Sequence, residues 1–91
     1  MSVMEENLES IQQWVYNAFP AARERAIGNS DSLLDSGIID SMGTLEVVDF
    51  LENKYGFEVL DDEMVADHFD SIQSIATYVL RKQGNPNVVS D

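Results

Sequence analysis

An all-α fold is predicted by three observations. Apolar residues recur at helical spacing in three separate stretches. Those stretches carry helix punctuation: Pro20 after the first, Asp40 before the second and Gly56 behind it. No stretch alternates with period two, and no segment repeats. A chain of 91 residues suits one domain with one core, and a hydrophobic fraction of 44% is enough to fold it.

The elements follow in order. Met4, Leu8, Ile11, Val15 and Ala18 form one stripe, which predicts a first helix over residues 3–18, with Trp14 packing at its margin. Pro20 ends it. Residues 20–40 read as a long connection with turn formers at Gly28, Asn29, Ser30, Asp31 and Ser32. Ala21 to Ile27 favours a short helical turn within it. Leu33, Leu34, Ile38 and Ile39 are the expected pins of this loop, with Gly37 free to take a positive φ between the two pairs. A second helix is expected from Ser41 to Tyr55, capped by Asp40, stopped by Gly56, and buried through Val47, Val48, Leu51 and Tyr55. Phe57 and Val59 should then plug the core. The acids Asp61, Asp62 and Glu63 suit the start of a short third helix over residues 61–68. Asp70 to Gln73 fits a capping box, and Ile72, Ile75, Ala76, Val79 and Leu80 give the stripe of a fourth helix over residues 71–82. Residues 83–91 contain Gly84 and Pro86 and read as a flexible tail, which leaves residues 1–82 as the folded domain.

Charge excludes whole classes of function. Seventeen acids face five bases, for a net charge of −12. Nucleic acid and anionic membrane would both repel such a surface. Proteins with basic patches fit it, although solubility alone also accounts for an acidic composition. No apolar run approaches a membrane span, and the N-terminal stretch, with Glu5 and Glu6 and no basic n-region, does not read as a signal peptide, so the expected location is the cytoplasm. There is no cysteine, hence no disulfide and no thiolate metal site.

Little in the chain suits catalysis or metal binding. A calcium loop beginning at Asp31 would put Leu33, Ser36 and Met42 at its third, sixth and twelfth positions, where oxygen ligands or glycine are needed. His68 is the single histidine and has no partner motif, so it reads as a structural or surface residue. Ser41 lacks the surroundings of a triad nucleophile. By residue type alone it is an ordinary first-turn serine. Gly43 beside it either eases the approach of a partner or is simply tolerated near a helix end.

The stretch Leu33 to Glu52, LLDSGIIDSMGTLEVVDFLE, resembles the attachment site of acyl carrier proteins. The resemblance extends over roughly residues 5–82. It implies a four-helix carrier-protein bundle with a short third helix and a long loop between helices one and two. It implies that Ser41 carries 4′-phosphopantetheine, whose thiol holds an acyl or aminoacyl group as a thioester. Asp40 then caps the helix and assists the phosphopantetheinyl transferase and its magnesium. Met42, Leu45, Glu46, Asp49 and Glu52 align with the face that partner enzymes recognise. Met42 stands where fatty-acid carriers usually have leucine, and Asp49 where they are often apolar. The stretch Gly37 to Thr44 is closer to stand-alone aminoacyl carriers of the D-alanyl or peptidyl type, with polyketide and specialised fatty-acyl carriers as alternatives. The resemblance thus implies a protein that catalyses nothing itself, is monomeric when free, and serves an adenylating enzyme and a downstream transferase or synthase. An acidic helical adaptor with no prosthetic group is the competing expectation.

Overall fold

Ser2 starts the first helix by reciprocal capping. Its hydroxyl accepts the Glu5 N–H at 3.1 Å, and the Glu5 carboxylate accepts the Ser2 N–H at 3.0 Å. In the computed structural model, which describes residues 2–89, this helix is α1 (Val3–Ala18). It is followed by α2 (Pro20–Glu24), α3 (Ser41–Tyr55), a 3₁₀ turn (Asp61–Glu63), α4 (Ala66–Phe69) and α5 (Ile72–Val89). The described residues are all helical and turn, without a strand. They form five α-helices, where the sequence pattern anticipated four.

The additional helix is α2, the helical turn expected in the long connection. Pro20 suits its first position because the missing N–H would be unpaired there anyway. It closes with Ala26 in the left-handed region (φ 50°), while Ile27 N–H bonds the Ala22 oxygen and Ala26 N–H bonds the Arg23 oxygen, both at 3.0 Å. This is a Schellman closure with alanine where glycine is usual, and its apolar partners Ala22 and Ile27 are both buried.

The expected third helix over residues 61–68 is instead two pieces. Met64 (ψ 66°) and Val65 (φ −119°, ψ 150°) leave helical geometry and separate the 3₁₀ turn from α4. The start of α5 also differs. Ser71 and Ser74 cap it reciprocally, with Ser71 Oγ accepting the Ser74 N–H and Ser74 Oγ accepting the Ser71 N–H, both at 3.0 Å. Asp70 serves the preceding loop: its Oδ1 accepts the Ser32 hydroxyl at 2.6 Å, and its carbonyl accepts the Leu33 N–H. The α5 backbone passes the expected end at residue 82 and continues to Val89, so the expected tail is helical up to that point. Ser90 and Asp91 lie outside the described residues.

The core joins α1, α3 and α5 with the pinned loop. Ile11, Val15, Val47, Leu51, Ile75 and Val79 are buried, and so are the loop residues Leu33 and Ile39. Leu34 and Ile38 pack against them, and Gly37 takes φ 79° between the pairs. Tyr78 is buried and Leu80 is exposed, the reverse of the stripe read from sequence for α5. Trp14 is half-buried and stacks on Phe50 at 4.5 Å, joining the rims of α1 and α3.

Candidate functional site at the start of α3

Asp40 sets the geometry of this end. Its backbone is extended, and its Oδ1 accepts the Gly43 N–H at 2.8 Å. Its carbonyl accepts both the Thr44 N–H at 2.9 Å and the Thr44 hydroxyl at 3.1 Å. Asp40 thus satisfies the third helical N–H of α3 and begins the intrahelical ladder. Ser41 is the first helical residue and is exposed. Neither the Ser41 nor the Met42 N–H has a partner among the described residues. The serine hydroxyl therefore sits on a helix end with two free donors and a partial positive charge.

Gly43 does not open this end toward a partner. A Cβ there would lie 3.0 Å from Ile39 Cγ2 and 3.2 Å from a Phe19 ring carbon, so the absent side chain lets α3 close onto the loop and the end of α1.

Ser41 and Asp40 stand on the rim of an open cleft of about 570 Å³. Its walls are mostly apolar. Leu34 and Ile39 come from the loop, Leu45 from α3, and Met64, Val65, Ala66 and Phe69 from the far side. Leu45, Met64 and Val65 are 54%, 37% and 43% exposed, so the lining is apolar surface in water. The wall formed by residues 64–69 was not anticipated as part of the site. Its one signal in the sequence is the pair Met64-Val65 directly behind three acids.

Comparison with protein-family models, curated proteins and solved structures gives no match.

The predicted recognition residues divide. Met42 is 69% exposed, and Glu46 and Asp49 are exposed on the same helix. Leu45 turns into the cleft. Glu52 is half-buried, and its Oε2 accepts the N–H of buried Val59 at 2.9 Å. It fastens the chain beyond α3 and is not a freely solvated acid.

On the far side of residues 60–69, Glu63 gathers three donors on one oxygen: Tyr78 hydroxyl and Lys82 Nζ, both at 2.9 Å, and Leu60 N–H at 3.1 Å. Partial burial pushes the Glu63 carboxyl up. The bonds from Lys82, Leu60 and Tyr78 more than reverse this, leaving it below the ordinary carboxylate value. Burial, and then the hydrogen bond to Glu63 and its negative charge, push the Tyr78 hydroxyl well above the usual tyrosine value. His68 is half-buried in the same group. No cluster of three metal-ligating side chains occurs among the described residues, and no helix among them is long and apolar enough to cross a membrane.

Proposed function

We propose that this chain is a carrier protein that holds an acyl or aminoacyl group as a thioester on a 4′-phosphopantetheine arm at Ser41. The observation that carries the reading is the exposed serine, first in a capped helix, at the mouth of an apolar cleft. It joins the resemblance of residues 33–52 to carrier attachment sites.

The residues present fit a phosphodiester on the serine. The Ser41 and Met42 N–H groups have no other partner, and a helix N-terminus favours nearby negative charge by about 0.3–1 kcal/mol. The Asp40 carboxylate would oppose that charge, but its Oδ1 is held by the Gly43 N–H. In this reading Asp40 keeps the serine in the first turn and contributes to transferase recognition. When bound, the arm supplies the thiol that forms the thioester. The chain's own residues hold and present it. Met42, Glu46 and Asp49 form the exposed face that meets partner enzymes, with Leu45 at its edge. The expected partners are a phosphopantetheinyl transferase, an adenylating enzyme and a downstream transferase or synthase with basic patches. Met42 and Asp49 favour a small amino or carboxylic acid as cargo. In this reading the four helices of a carrier bundle would be α1, α3, the 61–69 segment and α5, with α2 inside the long loop.

Intact mass after incubation with a broad-specificity phosphopantetheinyl transferase and coenzyme A tests the proposal. The chain should gain one arm, and Ser41→Ala should gain none while keeping its helical circular dichroism. An unmodified wild-type chain would refute the carrier reading and leave an acidic helical adaptor that binds basic proteins through α3.

A further inference from the structure

Residues 60–69 form a thin wall between two clefts. Met64, Val65 and Phe69 face the Ser41 cleft. Leu60, Glu63 and His68 face a second cleft of about 410 Å³, closed on its other side by Tyr78, Arg81 and Lys82 of α5. The wall holds only a three-residue 3₁₀ turn and a four-residue helix, and Phe69 is its one fully buried side chain. Polar contacts from the second cleft add to the Phe69 packing that ties it to α5.

His68 sits among those contacts in a state its neighbours dictate. Nδ1 lies 2.8 Å from the Glu63 backbone oxygen, an acceptor, so Nδ1 carries a proton. Nε2 lies 3.2 Å from Arg81 Nη2, and a guanidinium can only donate, so Nε2 must accept. Only the neutral Nδ1–H tautomer satisfies both. The ring also stacks on Tyr78 at 4.9 Å.

The geometry points to His68 as a proton-sensitive latch: a proton taken up from solvent at Nε2 breaks the bond to Arg81 and moves the wall of the Ser41 cleft away from α5. Histidine is the side-chain type that ordinarily changes charge between pH 5 and 8, and the chain has one. The charged and titratable groups around it come from four elements. Glu63 lies in the 3₁₀ turn, with one carboxylate oxygen already committed to three donors. Asp67 is its neighbour in α4 and is exposed. Tyr78, Arg81 and Lys82 line the cleft from α5. Glu52 of α3 acts on Tyr78 through its charge. Asp67 travels with the imidazole, while Glu63 also bonds Tyr78 and Lys82 of α5 and so confines any displacement to the His68 end of the wall. Arg81 and Lys82 belong to α5 and repel an imidazolium carried by the wall. The Glu63 carbonyl bond and the Tyr78 stack both tolerate a protonated ring and keep it near α5, so the response is a small local displacement without unfolding. As regulation of an arm-bearing cleft the latch rests on the carrier reading. As a property of the apo chain it does not.

The test is therefore made on the unmodified full chain, without transferase or coenzyme A. Methionine methyl groups are labelled with carbon-13, and the His68 ring and the Met64 methyl are followed together by NMR from pH 8 to 5. The Met64 resonance should shift with the same midpoint as the His68 ring, at constant helical circular dichroism. Arg81→Gln should shrink that shift while the ring still titrates, because a glutamine carbonyl can accept from protonated Nε2. His68→Gln should abolish the shift. A Met64 resonance that stays fixed while His68 titrates would overturn the latch, as would an undiminished shift in either variant.

Discussion

Glu46 and Glu52 lie six residues apart on one acidic helix, yet charge reversal should affect them very differently. Glu46→Lys and Glu52→Lys each change the net charge from −12 to −10, so global repulsion is relieved equally. Glu46 is exposed, and reversing an exposed charge typically shifts stability by less than about 1 kcal/mol. Glu52 holds the N–H of Val59, which is 8% exposed, at 2.9 Å. Lysine has no acceptor, so the reversal removes a charge-assisted hydrogen bond and leaves a donor in the interior. The expected loss is about 1.5–3 kcal/mol. A domain of this length has about 5–14 kcal/mol in all.

Urea denaturation reads the difference directly. A small domain has an m-value near the low end of the usual range, about 1–1.5 kcal/mol/M, so a loss of about 2 kcal/mol lowers the midpoint by about 1.3–2 M. Glu46→Lys should leave the midpoint nearly in place. Glu52→Gln should recover most of the loss, because its amide oxygen can still accept the Val59 N–H. Equal midpoints for the two lysine variants would refute the role assigned to Glu52. A Glu52→Gln variant as unstable as Glu52→Lys would show that something other than the hydrogen bond was lost.

Two further outcomes follow from packing and charge. Gly43→Ala gains about 1 kcal/mol of helix propensity but forces Ile39 and Phe19 aside, and overpacking costs about 1–3 kcal/mol; the urea midpoint should fall or stay level, and a rise by the full propensity gain would refute the close approach. Glu63 has a folded pKa below its ordinary value of 4.5, so its contribution to stability is present above that value and is lost as pH falls through the folded pKa. Between pH 6 and 3, wild type should therefore lose more stability than Glu63→Gln in paired urea titrations, and equal losses would refute the lowered carboxyl.

Local chemistry made much of the fold legible. The bounds of α1 and α3 follow from Pro20, Asp40 and Gly56 acting on neighbours within four residues, and apolar spacing identifies most of the buried side chains. The helix start at the candidate site was legible for the same reason, since the hydrogen bonds from Asp40 to Thr44 all span three or four residues, whereas Ser41 was singled out only by the resemblance to carrier attachment sites. Distant contacts were not legible. Asp70 follows the capping-box pattern but turns to Ser32, 38 positions away, and Ser71 takes over the cap. Glu52 lies among exposed acids in sequence, and only the fold of residues 56–59 brings the Val59 N–H to it. Tyr78 lies beside the α5 stripe and is buried because the chain returns over it with Phe57, Phe69 and His68.

The same distinction separates the two sides of the Ser41 cleft. The Ser41 side rests on α3, fifteen residues long, with a side-chain cap at one end, a left-handed glycine at the other, and Val47 and Leu51 in the core. Moving it would break a helix and expose apolar area at about 25 cal/mol per Å². The opposite side is Met64 to Phe69, with one residue in the core and three exposed apolar or small neighbours. Besides Phe69, it is held by hydrogen bonds that Glu63 and His68 make to α5, each worth about 0.5–3 kcal/mol net. Water can replace those bonds one at a time, whereas core packing is lost together. Under the latch proposal, such a cleft would keep its serine fixed and change its width through the opposite wall. A group attached at Ser41 would thus start from an invariant position, and the polar contacts behind residues 60–69 would set how much of it the apolar lining covers.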